Sequence, residues 1–113
     1  MNQSEILKIT NAKLNLKGTK YIAEIIDKTT FDLWIIPLTR IYNELAKQHN
    51  VTITSIKRDI TTAKNAHLKN ISKEHYNLIF SEIEDINSIS SYLKCLKIAA
   101  TQKFNTLTTN KTW

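Results

Sequence analysis

The chain has 113 residues, 42% of them apolar and 23% charged, with sixteen Lys and Arg against ten Asp and Glu for a net charge of +6. That balance is globular rather than disordered, and the length suffices to bury roughly two thirds of the unfolded surface around one core. A single cysteine excludes an intrachain disulfide and a cysteine-cluster metal site, no apolar run approaches the ~20 residues of a membrane span, and one glycine and one proline are too few for the many tight turns of a strand-rich fold.

Hydrophobic periodicity reads as helices from end to end. "QSEILKITNAKL", residues 3–14, puts Ile6, Leu7, Ile9 and Leu14 near one side, with Ser4 as a candidate cap. Gly18, the only glycine, marks a break between helices, and Tyr21, Ile22, Ile25 and Ile26 predict a second helix over about 19–29. In "TTFDLWIIPLTRIYNELAKQHN", Phe31, Trp34, Ile35, Leu38, Ile41, Tyr42 and Leu45 form a wide apolar stripe. Thr30 or Asp32 is placed to cap it. Pro37 is tolerable only in a first turn, so this third helix is expected to start near 34 and end near Gln48.

The turn that follows lacks glycine and proline. Asn50 tolerates a left-handed backbone, and Thr52 is an N-cap for the next helix. There Ile53, Ile56, Ile60, Ala63 and His67 recur at steps of three and four and share a face, while Thr54, Ser55, Lys57, Arg58, Thr61, Thr62, Lys64 and Asn65 cover the rest. Ser72 caps a helix carrying Tyr76, Ile79, Phe80 and Ile83. A last helix carries Ile89, Tyr92, Leu93, Leu96, Ala99, Ala100 and Phe104, with Cys95 on its apolar face and expected to be a buried thiol. The expected architecture is all-α: one domain over 1–104, a compact bundle of about six helices with a helix-turn-helix at about 33–48 and 53–68. A flexible tail is expected over 105–113, ending in Trp113.

Little in the chain points to catalysis. It has no glycine-rich phosphate loop, no GxSxG, no HExxH and no Cys/His cluster at metal spacing. His49, His67 and His75 share no helical turn, and the acidic run "SEIEDI" reads as a solvated helix end. Neither an enzyme nor a cofactor, metal or catalytic residue is expected. No N-terminal run resembles a secretion signal, so the protein is expected to be soluble and cytoplasmic.

The positive charge, with an isoelectric point near 9.5, points instead to a polyanion. A helix-turn-helix needs a second helix whose outward face carries hydrogen-bonding groups near its start. Thr54, Ser55, Arg58, Thr61 and Thr62 supply such groups, with Thr52 at the cap. Arg bonds guanine through two acceptors, and Ser or Thr serves several bases or phosphates. Lys47, Lys57 and Lys64 are candidates for phosphate contacts.

The stretches "KGTKYIAEII" and "IYNELAKQHNVTITSIKRDI" resemble the C-terminal DNA-binding domain of the sporulation master response regulator, stage-zero sporulation protein A. That family has a Lys-Gly pair followed by Tyr-x-x-Glu, matched here by Lys17-Gly18, Tyr21 and Glu24. It then has a hydrophobic-Tyr pair and Ala-Lys-x-Tyr-Asn-Thr-Thr, matched by Tyr42, Ala46, Lys47, Asn50 and Thr52. The resemblance spans about residues 17–68. It implies an all-α domain whose helix-turn-helix docks in the major groove of double-stranded DNA, often as tandem or paired copies. The family's recognition helix reads bases with an Arg, a Glu and a second Arg. Here Arg58 falls on the second Arg, Ser55 stands at the first, and Lys57 replaces the Glu. A cation where a glutamate accepts from cytosine implies a different DNA target. Full-length members carry a phosphoacceptor receiver domain ahead of this one. Here the match begins about 16 residues after Met1, so control is expected through expression, partners or oligomerisation.

The expectation is a small stand-alone sequence-specific DNA-binding regulator. Two alternatives share the fold: an excisionase-like accessory factor of a recombinase on a mobile element, and a protein-interaction module that has lost DNA binding. Partners consistent with these readings are duplex DNA, a second copy of the chain, a recombinase or a related regulator.

Overall fold

The computed structural model describes residues 5–28, 38–80 and 88–100. Those residues form six α-helices and no strand: α1 Glu5–Ile9, α2 Lys17–Lys28, α3 Leu38–His49, α4 Ile53–Asn70, α5 Lys73–Phe80 and α6 Ile89–Ile98. The all-α bundle expected from the periodicity is present. Phe31, Trp34, Ile35 and Pro37, the acidic run, Phe104 and the tail with Trp113 lie outside the described residues, as do the caps expected at Ser4, Thr30 and Asp32.

Two asparagines end helices in the same way. Asn11 has φ 66° and Asn50 has φ 55°. After α1, the Ala12 amide donates to the Leu7 carbonyl at 2.9 Å and the Asn11 amide to that of Lys8 at 3.3 Å. After α3, Val51 donates to Ala46 at 3.0 Å and Asn50 to Lys47 at 3.4 Å. This is the Schellman pattern, in which a left-handed residue just past the helix satisfies two terminal carbonyls. Asparagine takes the position that glycine usually holds, which explains how so glycine-poor a chain turns so sharply.

Among the described residues α2 and α4 are the most extensively packed pair, within a core to which all six helices contribute. Tyr21, Ile22, Ile25 and Ile26 are buried on α2, against Ile56, Ile60 and Ala63 of α4; Ile41, Tyr42, Leu45 and Ala46 come from α3. Burial of each such large side chain stabilises by about 1.5–3 kcal/mol relative to exposure. Gly18 corrects the sequence reading. It is not a break but the second residue of α2, facing α4. A Cβ there would lie 1.8 Å from the Asp59 carbonyl oxygen and 2.8 Å from the Ala63 Cβ. The glycine is what allows the two helices to approach.

Other expectations also shift. The first helix ends at Ile9 rather than 14, because Asn11 turns the chain, and Leu14 is left 46% exposed. α4 runs on to Asn70. Cys95 is half-buried rather than buried, beside the core formed by Leu93 and Leu96. Ser72 caps α5 as expected, accepting from the His75 amide at 3.1 Å, and Ser88 does the same for α6 through Ser91.

Polar groups inside the bundle tie distant helices together. Lys97 of α6 is only 2% exposed, and its ammonium donates to the Ile26 carbonyl oxygen in the last turn of α2. A cation at a helix C-terminus satisfies an orphan carbonyl and opposes the helix dipole. Burial pushes this lysine below its ordinary range, with Asp27 acting in the opposite direction. His67 of α4 is 1% exposed and bridges α1 and α6: its Nε2 lies 2.7 Å from Thr10 Oγ1 and its Nδ1 2.6 Å from the Tyr92 hydroxyl. The Thr10 hydroxyl donates to the Ile6 carbonyl at 2.6 Å. That donation uses its single proton, so Nε2–H donates to Thr10, and Nδ1 accepts from Tyr92 O–H. Phe80 of α5 stacks on the Tyr92 ring with centroids 5.7 Å apart.

Candidate nucleic-acid interface

α3 and α4 are joined by three residues, Asn50, Val51 and Thr52. The Schellman turn at Asn50 closes α3, and Thr52 opens α4 at once, with an extended backbone (φ −83°, ψ 158°) and a side chain that accepts from the Ser55 amide at 3.1 Å. The Thr52 hydroxyl in turn donates to Ser55 Oγ at 2.9 Å. The two caps meet end to end, so the angle between the helices is fixed by capping hydrogen bonds rather than by a flexible loop. Thr52→Ala removes one of them and is expected to destabilise the fold by about 1 kcal/mol, read as a shift of the urea midpoint with unchanged slope.

Around α4 the residues sort into two sides. Ile56, Ile60, Ala63 and His67 are buried, as their spacing predicts. Thr54, Arg58, Thr62 and Asn65 are exposed, and Thr61 is half-buried at the margin. The Arg58 side chain is 69% exposed and lies 3.8 Å from the Asp59 carboxylate. At that length, with the guanidinium in water, the pair contributes little energy, and Arg58 stays free to extend. Lys57 lies on one flank, its ammonium 5.7 Å from the centre of the Tyr42 ring. That contact stations the charge at the border of α3 and α4 while leaving the ammonium in water. Burial pushes the Tyr42 hydroxyl up to about 12, so the ring stays neutral beneath the cation. Lys47 is exposed in the last turn of α3.

Three of the expected contact residues need revision. Lys64 is 3% exposed and belongs to the inner side of α4, so it is not available to a phosphate. It follows Ile60 by four residues and precedes His67 by three, which places it on the buried stripe. Ser55 is half-buried, and its hydroxyl is engaged by Thr52. Thr52 is exposed, but its hydroxyl is committed to the cap. Thr54, Lys57, Arg58, Thr61 and Thr62 remain along the first half of α4, with Lys47 in the last turn of α3.

α4 carries no acid in its first turn; Asp59, its single acid, lies in the second turn with its carboxylate 3.8 Å from the Arg58 guanidinium. The amide end of the helix is therefore not neutralised by its own side chains, a favourable setting for anions. Comparison of the chain with protein-family models, with curated proteins and with solved structures returns no match.

Sequence reasoning passed over one further feature. Lys17 and Lys20 of α2, with Tyr21, His49 and Val51, line a cavity of about 260 Å³ beside the turn. The His49 imidazole packs edge-on to the Tyr21 ring, centroids 5.0 Å apart, and its Nε2 pairs with the Glu24 carboxylate at 2.9 Å. The only hint in the sequence is the spacing of three between the two lysines, which puts both on one face of a helix.

Elsewhere, the described residues include no group of three or more His, Cys, Asp or Glu side chains placed to hold a metal. No helix among them is long and apolar enough to cross a membrane. The His75 Nδ1 is buried and has no hydrogen-bond partner among the described residues.

Proposed function

We propose that the protein is a small DNA-binding regulator whose α4 enters the major groove. The observation that carries this reading is the exposed side of α4. It projects Thr54, Arg58, Thr61 and Thr62 from a rigid turn, flanked by Lys57 and Lys47, while the rest of the bundle packs against its opposite side. The resemblance of residues 17–68 to the effector domain of the sporulation response regulator supports the same docking.

Of the three positions at which that family reads bases, Arg58 alone keeps the family residue and is fully presented. Ser55 is drawn into the cap and Lys57 rests over Tyr42. This predicts a short recognition element read through one bidentate arginine, with phosphate contacts supplying most of the affinity. Participation in recombination would use the same surface.

The reading is tested by anisotropy of a labelled duplex titrated with the full chain. With phosphate contacts at Lys47 and Lys57, affinity is expected to fall on the order of 10-fold between 50 and 200 mM salt. Arg58→Ala is expected to weaken binding to a selected site by about 1–3 kcal/mol and to relax specificity at one position. A chain that leaves the duplex unbound at 50 mM salt, or whose Arg58→Ala variant binds selected and random duplexes unchanged, refutes it. Retention of a protein partner without DNA affinity marks the chain as an interaction module instead.

A further inference from the structure

We propose that the cavity between α2 and the α3–α4 turn seats one sugar–phosphate unit of the DNA backbone. This inference rests on the DNA-binding reading and assigns the backbone contact on the α2 flank of α4, opposite the Lys57 flank. The location comes first. The lining residue Val51 directly precedes Thr52, the cap of α4, so the cavity opens beside the end of the helix that enters the groove.

The chemistry of the lining comes second. Lys17 and Lys20 are exposed cations one helical turn apart, able to reach two oxygens of one phosphate. Tyr21 and Val51 give the remaining wall an apolar character that suits the carbon face of a deoxyribose; Val51 is 38% exposed, an unfilled apolar surface in an otherwise polar turn. His49 is held in place between the Tyr21 ring and the Glu24 carboxylate, so that side of the cavity is preformed. Glu24 itself does not line the cavity, and its charge is directed to the imidazole.

Size is the third consideration. About 260 Å³ falls below the roughly 300–1,000 Å³ of pockets that enclose drug-sized ligands. A free small-molecule effector is therefore disfavoured, whereas one backbone unit of a larger polyanion fits. Phosphate contacts of this kind fix the register of a protein on the duplex without reading sequence.

The test compares the full chain with three double variants in a salt titration on a duplex of random sequence. Lys17→Gln with Lys20→Gln is expected to make the plot of log affinity against log salt shallower by about 1, since the two lysines share one phosphate and each phosphate contact contributes about 0.9 to the slope. Both side chains are exposed, so the melting temperature should stay put. Lys17→Arg with Lys20→Arg is expected to keep the slope. If the glutamine variant keeps the wild-type slope, or if neutralising Lys8 and Lys73 on α1 and α5 flattens it as much, the cavity is not a backbone seat and this inference alone falls. If the wild-type chain does not bind duplex at 50 mM salt, the DNA-binding reading falls with it.

Discussion

Gly18→Ala is expected to destabilise the fold by about 3 kcal/mol or more. Overpacking of a tight core typically costs 1–3 kcal/mol, and more when the obstruction cannot move. Here the obstruction is the Asp59 carbonyl oxygen, 1.8 Å from the position of the new Cβ. That oxygen belongs to the backbone of α4 and has no rotamer in which to escape. α2 must back away, which loosens the contacts that Tyr21, Ile22, Ile25 and Ile26 make across the main interface of the core. The sign of the effect is informative. In an isolated or solvent-facing helix, Ala is better than Gly by about 0.8–1.0 kcal/mol, so the same substitution would stabilise. For a domain of this size, 3 kcal/mol corresponds to a fall in Tm of roughly 15 °C. A thermal melt in which Gly18→Ala matches or exceeds the wild type would show that α2 and α4 are not packed as described.

The second large effect is acid destabilisation through His67. Burial lowers its pKa from 6.5 to about 4, despite an opposing hydrogen bond to the Thr10 backbone. The folded protein keeps the imidazole neutral, with Nδ1 accepting from the Tyr92 hydroxyl and Nε2–H donating to Thr10. The unfolded chain takes up the proton first as pH falls. Stability from this group is therefore fully present above about pH 6.5 and is lost between there and pH 4, below which both states carry the proton and the loss levels off. The two pKa values set the size of that loss at about 3 kcal/mol. Urea unfolding at a series of pH values measures it. His67→Gln should be less stable than wild type at pH 7 and should show a smaller fall toward pH 4, since the amide does not titrate. Parallel curves for the two proteins over that range would contradict a buried neutral His67.

How far the sequence foretold this can be judged from single residues. The α3–α4 turn was legible because its signals are local. Asn50 favours a left-handed backbone, Thr52 is a capping residue, and both act within the turn they mark. The stripe of Ile56, Ile60, Ala63 and His67 was legible because helical period and burial agree. Gly18 was misread because a glycine is ordinarily a local punctuator; its role depends on Asp59, some forty residues away, which no local pattern encodes. Asn11 was missed because the apolar Leu14 extends the periodic run past the real end of α1. Lys64 shows a different failure. Its charge placed it with the polar side of α4, yet it follows Ile60 by four residues and is 3% exposed, because a long aliphatic stem can line a core. The cavity joins α2 to the α3–α4 turn, so only the assembled fold reveals it.

The surface of α4 itself is tested most directly by selecting bound duplexes from a random pool with the full chain and with its Arg58→Ala variant. The expected result is a short enriched element containing a guanine, whose preference at that base disappears in the variant while the remaining positions persist. Recovery of no duplex above background, or of the same element at full strength without Arg58, would contradict the assignment of α4 as the helix that reads DNA.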